Sequence, residues 1–332
     1  MNLWKMRGDL IASYKAKFLR LTRASPTGLG KAPHKPILLL TVLEMIRVGD
    51  LKSNRVVYDG LFVGHFRNQW TRYVTTGHSP NSALPFFHMR SEGKPNYYWR
   101  LVWKPGFEIP LTASHSIKSP RALSEALEYA EMDQELFLLM IDPVSNELLR
   151  KTLVEHYFPE AIAAKAVQYN MFDQIESEIL AEKGAEYSLR MRELEKSLPK
   201  EEFQEEVIVR SAVFRKDVLN VYNNACAVSG LQVSSANGAQ LLDACHIVPF
   251  SESRDDHISN GICLSPNLHR AFDRHLIYFD EDLRFRIVSH VTEKEDSPHA
   301  LTQLEGKQIV LPDNRLFWPS PEKIRHHRDR CL

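Results

Sequence analysis

One stretch in the C-terminal third constrains the fold more than any other. It runs DACHIVPF over Asp243–Phe250 and, past a polar loop, SNGICLSPNLHRAFDRHL over Ser259–Leu276. The first segment reads as a strand, Ser251–Asn260 as a loop, Ile262–Leu264 as a second strand and 266–274 as a helix. LIYFD and FRIVS beyond it form a hairpin across Asp280–Asp282. This order sets His246 at a strand end, Asn260 after a loop and His269 on a helix. Asp273 lies four residues past His269, so the two share a helical face.

Residues of these types suit one chemistry. An imidazole and a carboxylate on one face could hold a divalent cation and leave positions open for phosphate and water. Phosphodiester hydrolysis also needs a base for that water, and a neutral histidine, whose ordinary pKa is about 6.5, serves at neutral pH. The base must stand apart from the metal ligands, as His246 would on a strand opposite the helix. Fourteen histidines can yield a His/Asn/His triple by chance. Here the spacing, the His269/Asp273 face and both flanks agree. His257, His275 and His290 lack that support and read as ordinary residues, and Cys226 as a small buried apolar side chain.

His-x13-Asn-x8-His in this setting resembles the HNH endonucleases of the ββα-metal fold, in the form found in bacterial modification-dependent restriction enzymes. The resemblance covers about residues 213–328, including FRxxVLxxYxxxCAVSG before the core and WPSPEKIRHHR after it. It implies that His246 is the general base and that Asn260 positions the base or contributes to the metal site. It further implies that His269, with Asp273, holds Mg2+ or Mn2+. Many such enzymes carry an Asp directly before the base. Here Cys245 stands there, and Asp243, two residues earlier on the same side of an extended strand, is the candidate substitute.

At 332 residues the chain is long enough for two domains, each with its own core. No apolar run reaches the ~18 residues of a membrane span, and the N-terminus lacks a signal-peptide core. Four cysteines without CxxC spacing fit a reduced, cytoplasmic protein. The fold class expected is α+β. A mixed helical and β DNA-reading domain spans 1–158, a charged helical linker 159–206 and the nuclease 207–332. In the first domain, helices read at 3–22, Ile37–Val48, Gly60–Tyr73 and about 120–156, with β segments at Arg55–Tyr58 and Tyr97–Lys104. Tyr187, Met191, Leu194 and Leu198 in the linker form a short heptad-like seam, one possible contact for a homodimer.

The net charge is zero, yet it is segregated. Residues 1–40 hold eight Lys or Arg against Asp9 alone, while 173–206 hold eleven acids against five bases. Such segregation lets one face meet phosphate. Two loops in the basic half stand out, GKAPHKP at Gly30–Pro36 and GHSPNSALP at Gly77–Pro85. Both are also ordinary proline-rich turns, and Pro36 would open the next helix directly. Together they resemble the sulfur-binding domains of phosphorothioation-dependent restriction enzymes, which share a PHxP start and a later x-Pro-x-x-Ala loop. That resemblance covers about residues 5–155. It implies that Ser79, Pro80 and Ala83 line a sulfur site, with Lys31, His34, Lys35 and Arg67 as candidates for phosphate or base contacts. Sulfur in place of a nonbridging oxygen is larger and more weakly hydrated, so a proline ring and a methyl group accept it at little desolvation cost.

The expected partner is double-stranded, phosphorothioated DNA. One rival is an HNH enzyme that reads a methylated or hydroxymethylated base, with Trp70, Phe86, Phe87 or Trp99 as pocket walls. The other is a DNA-binding regulator on a nuclease fold.

Overall fold

The computed structural model describes residues 3–107, 117, 119–160, 170–181, 184–233, 241–294, 297 and 300–332, with backbone alone for 3–6 and 181. Parts of the expected linker, 161–169 and 182–183, lie outside the described residues. The chain forms two compact units, residues 1–171 with 199–209, and 172–198 with 210–332. The fold is α+β, and among the described residues no helix is long and apolar enough to cross a membrane.

The first unit is built around α2 (His34–Val48), whose apolar run Ile37–Leu40 is almost wholly buried. Around α2 pack α3 (Gly60–Tyr73), α4 (Ala83–His88), α6 (Gln134–Ile141) and α7 (Pro143–Tyr157), while α1 (Leu3–Phe18) lies on α7. The Asp59 carboxylate accepts from the Phe62 amide at 3.0 Å and starts α3, satisfying one of the free donors of its first turn. Phe86 meets Tyr58, Phe62 and Trp99 edge to face with centroids 4.9–5.1 Å apart. Phe86 and Phe87 are therefore core and Trp70 is 8% exposed, while Trp99, though 1% exposed, borders a cavity beside Tyr97 and Arg100.

An antiparallel sheet completes this unit in the order β1 (Arg55–Val56), β3 (Leu127–Met132), β2 (Trp99–Trp103). The central strand falls where the sequence reads as helix, just after α5 (Pro120–Ala126). Its Leu, Glu, Ala and Met are helix formers. Pairing on both edges, with Leu127, Ala130 and Met132 buried, overrides that preference.

In the second unit α8 (Met171–Ala181) and α9 (Gly184–Ser197) bury Ile175, Ile179, Tyr187 and Met191. Of the expected dimer seam, Tyr187 and Met191 are wholly enclosed by their own chain, which corrects that part of it, while Leu194 and Leu198 are half-exposed. Of the segment expected as a linker, 159–206, residues 172–198 count with this unit and 199–206 with the first. The long helix α10 (Lys200–Val221) likewise has residues in both. Next come the antiparallel pair β4 (Asp243–His246) and β5 (Gly261–Leu264), α11 (Pro266–Asp273), the hairpin β6 (Ile277–Phe279) and β7 (Phe285–Ile287), and α12 (Pro321–Cys331).

Candidate active site

The β4–β5 register pairs Asp243 with Leu264 and His246 with Gly261, so the loop between them leaves and returns at the histidine. Asn260 closes that loop. Its Oδ1 accepts from the Val248 amide at 3.0 Å, and its Nδ2 donates to the Val248 and Asp255 carbonyls at 2.9 and 2.8 Å. The side chain is 0% exposed. Of the two roles implied for Asn260, positioning the base fits this geometry, whereas a buried carboxamide tied to backbone reaches no ion.

His246 lies flat on Phe214, with centroids 4.1 Å apart and planes 7° from parallel. Its Nε2–H donates to Asp256 Oδ1 at 2.8 Å. With the proton held there, Nδ1 carries the lone pair. Asp256, 1% exposed, is anchored from behind. Tyr187 Oη donates to its Oδ2 at 3.4 Å, Arg210 donates to Tyr187 Oη at 3.2 Å, and Arg210 pairs with Glu178 at 2.7 Å. Thus α8 and α9 supply the support of the candidate base. Sequence reasoning missed Asp256; the signal was an acidic pair, Asp255–Asp256, just before the asparagine.

His269 stands on α11 between two carboxylates. Its Nδ1 lies 3.2 Å from Asp243 Oδ2 and its Nε2 lies 3.3 Å from Asp273 Oδ2. Asp243 also accepts from Arg215 at 3.2 Å. An Nδ1–H donated to Asp243 frees Nε2 on the Asp273 side, so the two aspartates do different work. Two donors that share one ion at about 2.1 Å stand roughly 3.0–3.4 Å apart, so His269 Nε2 and Asp273 fit a common cation. Asp243, expected as a ligand, lies at the Nδ1 edge of the ring, with Asp273 at the Nε2 edge.

Cys245 lies beside this pair, its thiol 3.9 Å from Asp273 Oδ1 and within 4.8 Å of the donors of His269 and Asp273. Burial, reinforced by Asp273 and Asp243, pushes the thiol well above its usual range. A thiol kept protonated hydrogen-bonds Asp273 and is a poor ligand for a hard ion. His246, His269 and Asp273 line one cavity of about 310 Å³ with Phe250, His275 and Arg330.

In the first unit the two singled-out loops meet. His34 Nε2–H donates to the Ser79 carbonyl at 2.9 Å, and Gly77 lies so close to Leu29 that a Cβ there would be 3.3 Å from its Cδ2. His34 packs on Trp70 and His78 at 4.7 and 5.9 Å, and burial lowers its pKa. Lys31 and Ser79 are exposed and Pro80 half-exposed at this junction. The remaining candidates are placed otherwise. Lys35 forms an ion pair with the buried Glu92, and Arg67 donates to Glu206 at 2.7 Å and to the Glu202 carbonyl at 2.7 Å, with Glu205 at 3.6 Å. Both charges are matched within the unit, so neither is a free phosphate contact. Ala83, 1% exposed, has its methyl in the core and lines no surface.

Residues 226–280 match the HNH endonuclease family. The second unit thus carries an HNH endonuclease domain, the module of metal-dependent DNA endonucleases, and the matched span holds His246, Asn260, His269 and Asp273. No curated protein matches the chain. Among solved structures, the modification-dependent TagI restriction endonuclease aligns at 26% identity with a TM-score of 0.29. The alignment covers 37% of this chain and 38% of that one, so the chain spans well under half of that enzyme's length.

Proposed function

We propose that the protein is a modification-dependent restriction endonuclease, in which the second unit hydrolyses DNA and the first reads the modification. One observation carries the hydrolytic part. His246 and His269 face a single cavity; Asp256 holds Nε2 of His246, and His269 stands between Asp243 at Nδ1 and Asp273 at Nε2. His246 Nδ1 takes the proton of the attacking water, while Asp256 fixes the tautomer and stabilises the imidazolium that results. His269 and Asp273 hold the divalent cation, Mg2+ or Mn2+. Its chemistry, when bound, is relief of charge on the phosphate and the leaving oxygen. Asn260 holds the loop that keeps His246 and Asp256 in register.

For the reader we propose phosphorothioated duplex DNA, on the support of the joined loops. Lys31 offers a cation, Ser79 a hydroxyl and Pro80 an apolar ring, and nearby His78 Nε2 is buried without a hydrogen-bond partner. A soft, weakly hydrated sulfur suits Pro80, whereas an oxygen would lose its water for nothing. A second reading, a modified base, is favoured by a separate cavity of about 620 Å³ in the same unit, lined by Tyr97, Arg90 and Arg100 among others. One catalytic site per chain also leads us to propose that duplex cleavage uses two copies.

The test is incubation with phosphorothioated, methylated and plain plasmid, with and without Mn2+. Metal-dependent cutting of the phosphorothioated plasmid alone is the expected result. Cutting confined to methylated plasmid selects the base reader, and equal cutting of all three removes modification dependence.

A further inference from the structure

A second set of donor side chains lies just beyond α11. His327 and Cys331 are four residues apart on α12 and share a face, 4% and 7% exposed. His275 follows the end of α11 with φ +56°, a conformation that costs a residue bearing a Cβ. The His327 ring is fixed in place. It stacks on Phe272 with centroids 3.6 Å apart and planes 4° from parallel, and its Nε2–H donates to the Phe272 carbonyl at 3.0 Å. With the ring proton on Nε2 toward that carbonyl, Nδ1 keeps its lone pair.

That lone pair points at sulfur. His327 Nδ1 lies 3.6 Å from Cys331 Sγ, and His275 Nδ1 lies 3.4 Å from the other ring nitrogen, His327 Nε2. One donor atom from each of the three residues falls within 4.8 Å of the others. Zinc takes nitrogen at about 2.0 Å and sulfur at about 2.3 Å, so two such donors at a tetrahedral angle stand roughly 3.6 Å apart. The His327–Cys331 pair already has that spacing. Rotation of the half-exposed His275 side chain brings in the third donor. A backbone carbonyl on the far nitrogen is also the usual way a ligating histidine is aimed.

We infer that His275, His327 and Cys331 form a second metal site, separate from His269 and Asp273, that takes a borderline ion of the Zn2+ class. Two imidazoles and a thiolate favour such an ion over Mg2+ or Mn2+. On binding, the Cys331 thiol loses its proton to solvent and the ion–sulfur bond replaces the S–H. Since His275 and His327 also line the catalytic cavity, the fourth position opens toward it. The ion would pin the last turn of α12 to the end of α11, the helix that carries His269 and Asp273. This role does not depend on whether the cavity cuts DNA.

The test uses the full chain, stripped with chelator and titrated with Co2+ alone as the probe. A thiolate-to-cobalt charge-transfer band is expected that survives Cys245→Ser and disappears with Cys331→Ser. Zn2+ should raise the melting temperature of the wild type and of His246→Ala alike. Absence of the band, its survival in Cys331→Ser, or its loss with Cys245→Ser overturns the site. Should Cys331→Ser fail to fold by circular dichroism, His275→Gln decides. A fall in Co2+ affinity on the order of tenfold or more supports the site, and unchanged affinity refutes it.

Discussion

At the candidate site of the second unit the acids hold imidazoles, the buried Asp256 on His246 and the half-exposed Asp243 on His269. In the first unit the buried acids hold cations, Glu92 on Lys35 and Glu205 with Glu206 on Arg67, and those cations have nothing left to offer a phosphate. The contrast follows from the side chains themselves. An imidazole has two nitrogens of opposite character, so a carboxylate on one sharpens the other. An ammonium or guanidinium matched by an interior carboxylate is a structural part. On the proposed phosphorothioate reading, what remains for recognition in the first unit is the surface at Lys31, Ser79 and Pro80.

The most severe way to break this contrast is His246→Ala. Removing the base should lower the cleavage rate about 10²–10⁴-fold while DNA affinity in a gel shift stays the same. Undiminished cutting would place the base elsewhere. Arg67→Ala should act on stability, because it strands the Glu205 carboxylate, 1% exposed, without its cation. A cost of about 3–5 kcal/mol in urea denaturation is expected. Normal stability with lost DNA binding would return Arg67 to the interface.

Asp256→Asn sharpens the comparison from the other side. The base would persist but lose its tautomeric control, so kcat should fall about 10–100-fold with KM little changed. A rise in KM with unaltered kcat would show that Asp256 merely shapes the cavity. The smallest effect concerns Asp217, in the second half of α10, whose pKa is raised to about 7 by burial, with Glu176 beside it. A raised acid pKa means the folded state keeps a proton that the unfolded chain has released. Stability from this group therefore falls as pH climbs from about 4 to 7 and stays low above. Asp217→Asn should raise the melting temperature by several degrees at pH 8 and hardly at pH 4, and a pH-independent change would count against that titration.

Much of the candidate site was legible because its parts are local. Strand, loop, strand and helix follow within 34 residues, and the i,i+4 pair His269/Asp273 is a property of any helix there. Asp256 was not legible, since only the closed loop carries it back to His246. The assignment of Asp243 depended on which edge of the His269 ring it meets, and spacing along a strand does not specify that. In the first unit the two loops stood out by composition, whereas their meeting at His34 and Ser79 did not. The fate of Lys35 and Arg67 was not, because their partners lie 57 and 139 positions away. The strand β3 was hidden for a related reason: its residues favour helix locally and become a strand only between two distant partners.

Gly261 is the strand residue opposite His246, and a Cβ built on it would sit 2.4 Å from Val218 Cγ2 and 3.0 Å from the Phe214 ring. Phe214 is the shelf on which the imidazole rests. Even a methyl group at this position would therefore lever α10 outward and tip the proton acceptor off its platform. The module's tolerance to sequence drift is thus narrowest at a residue that performs no chemistry.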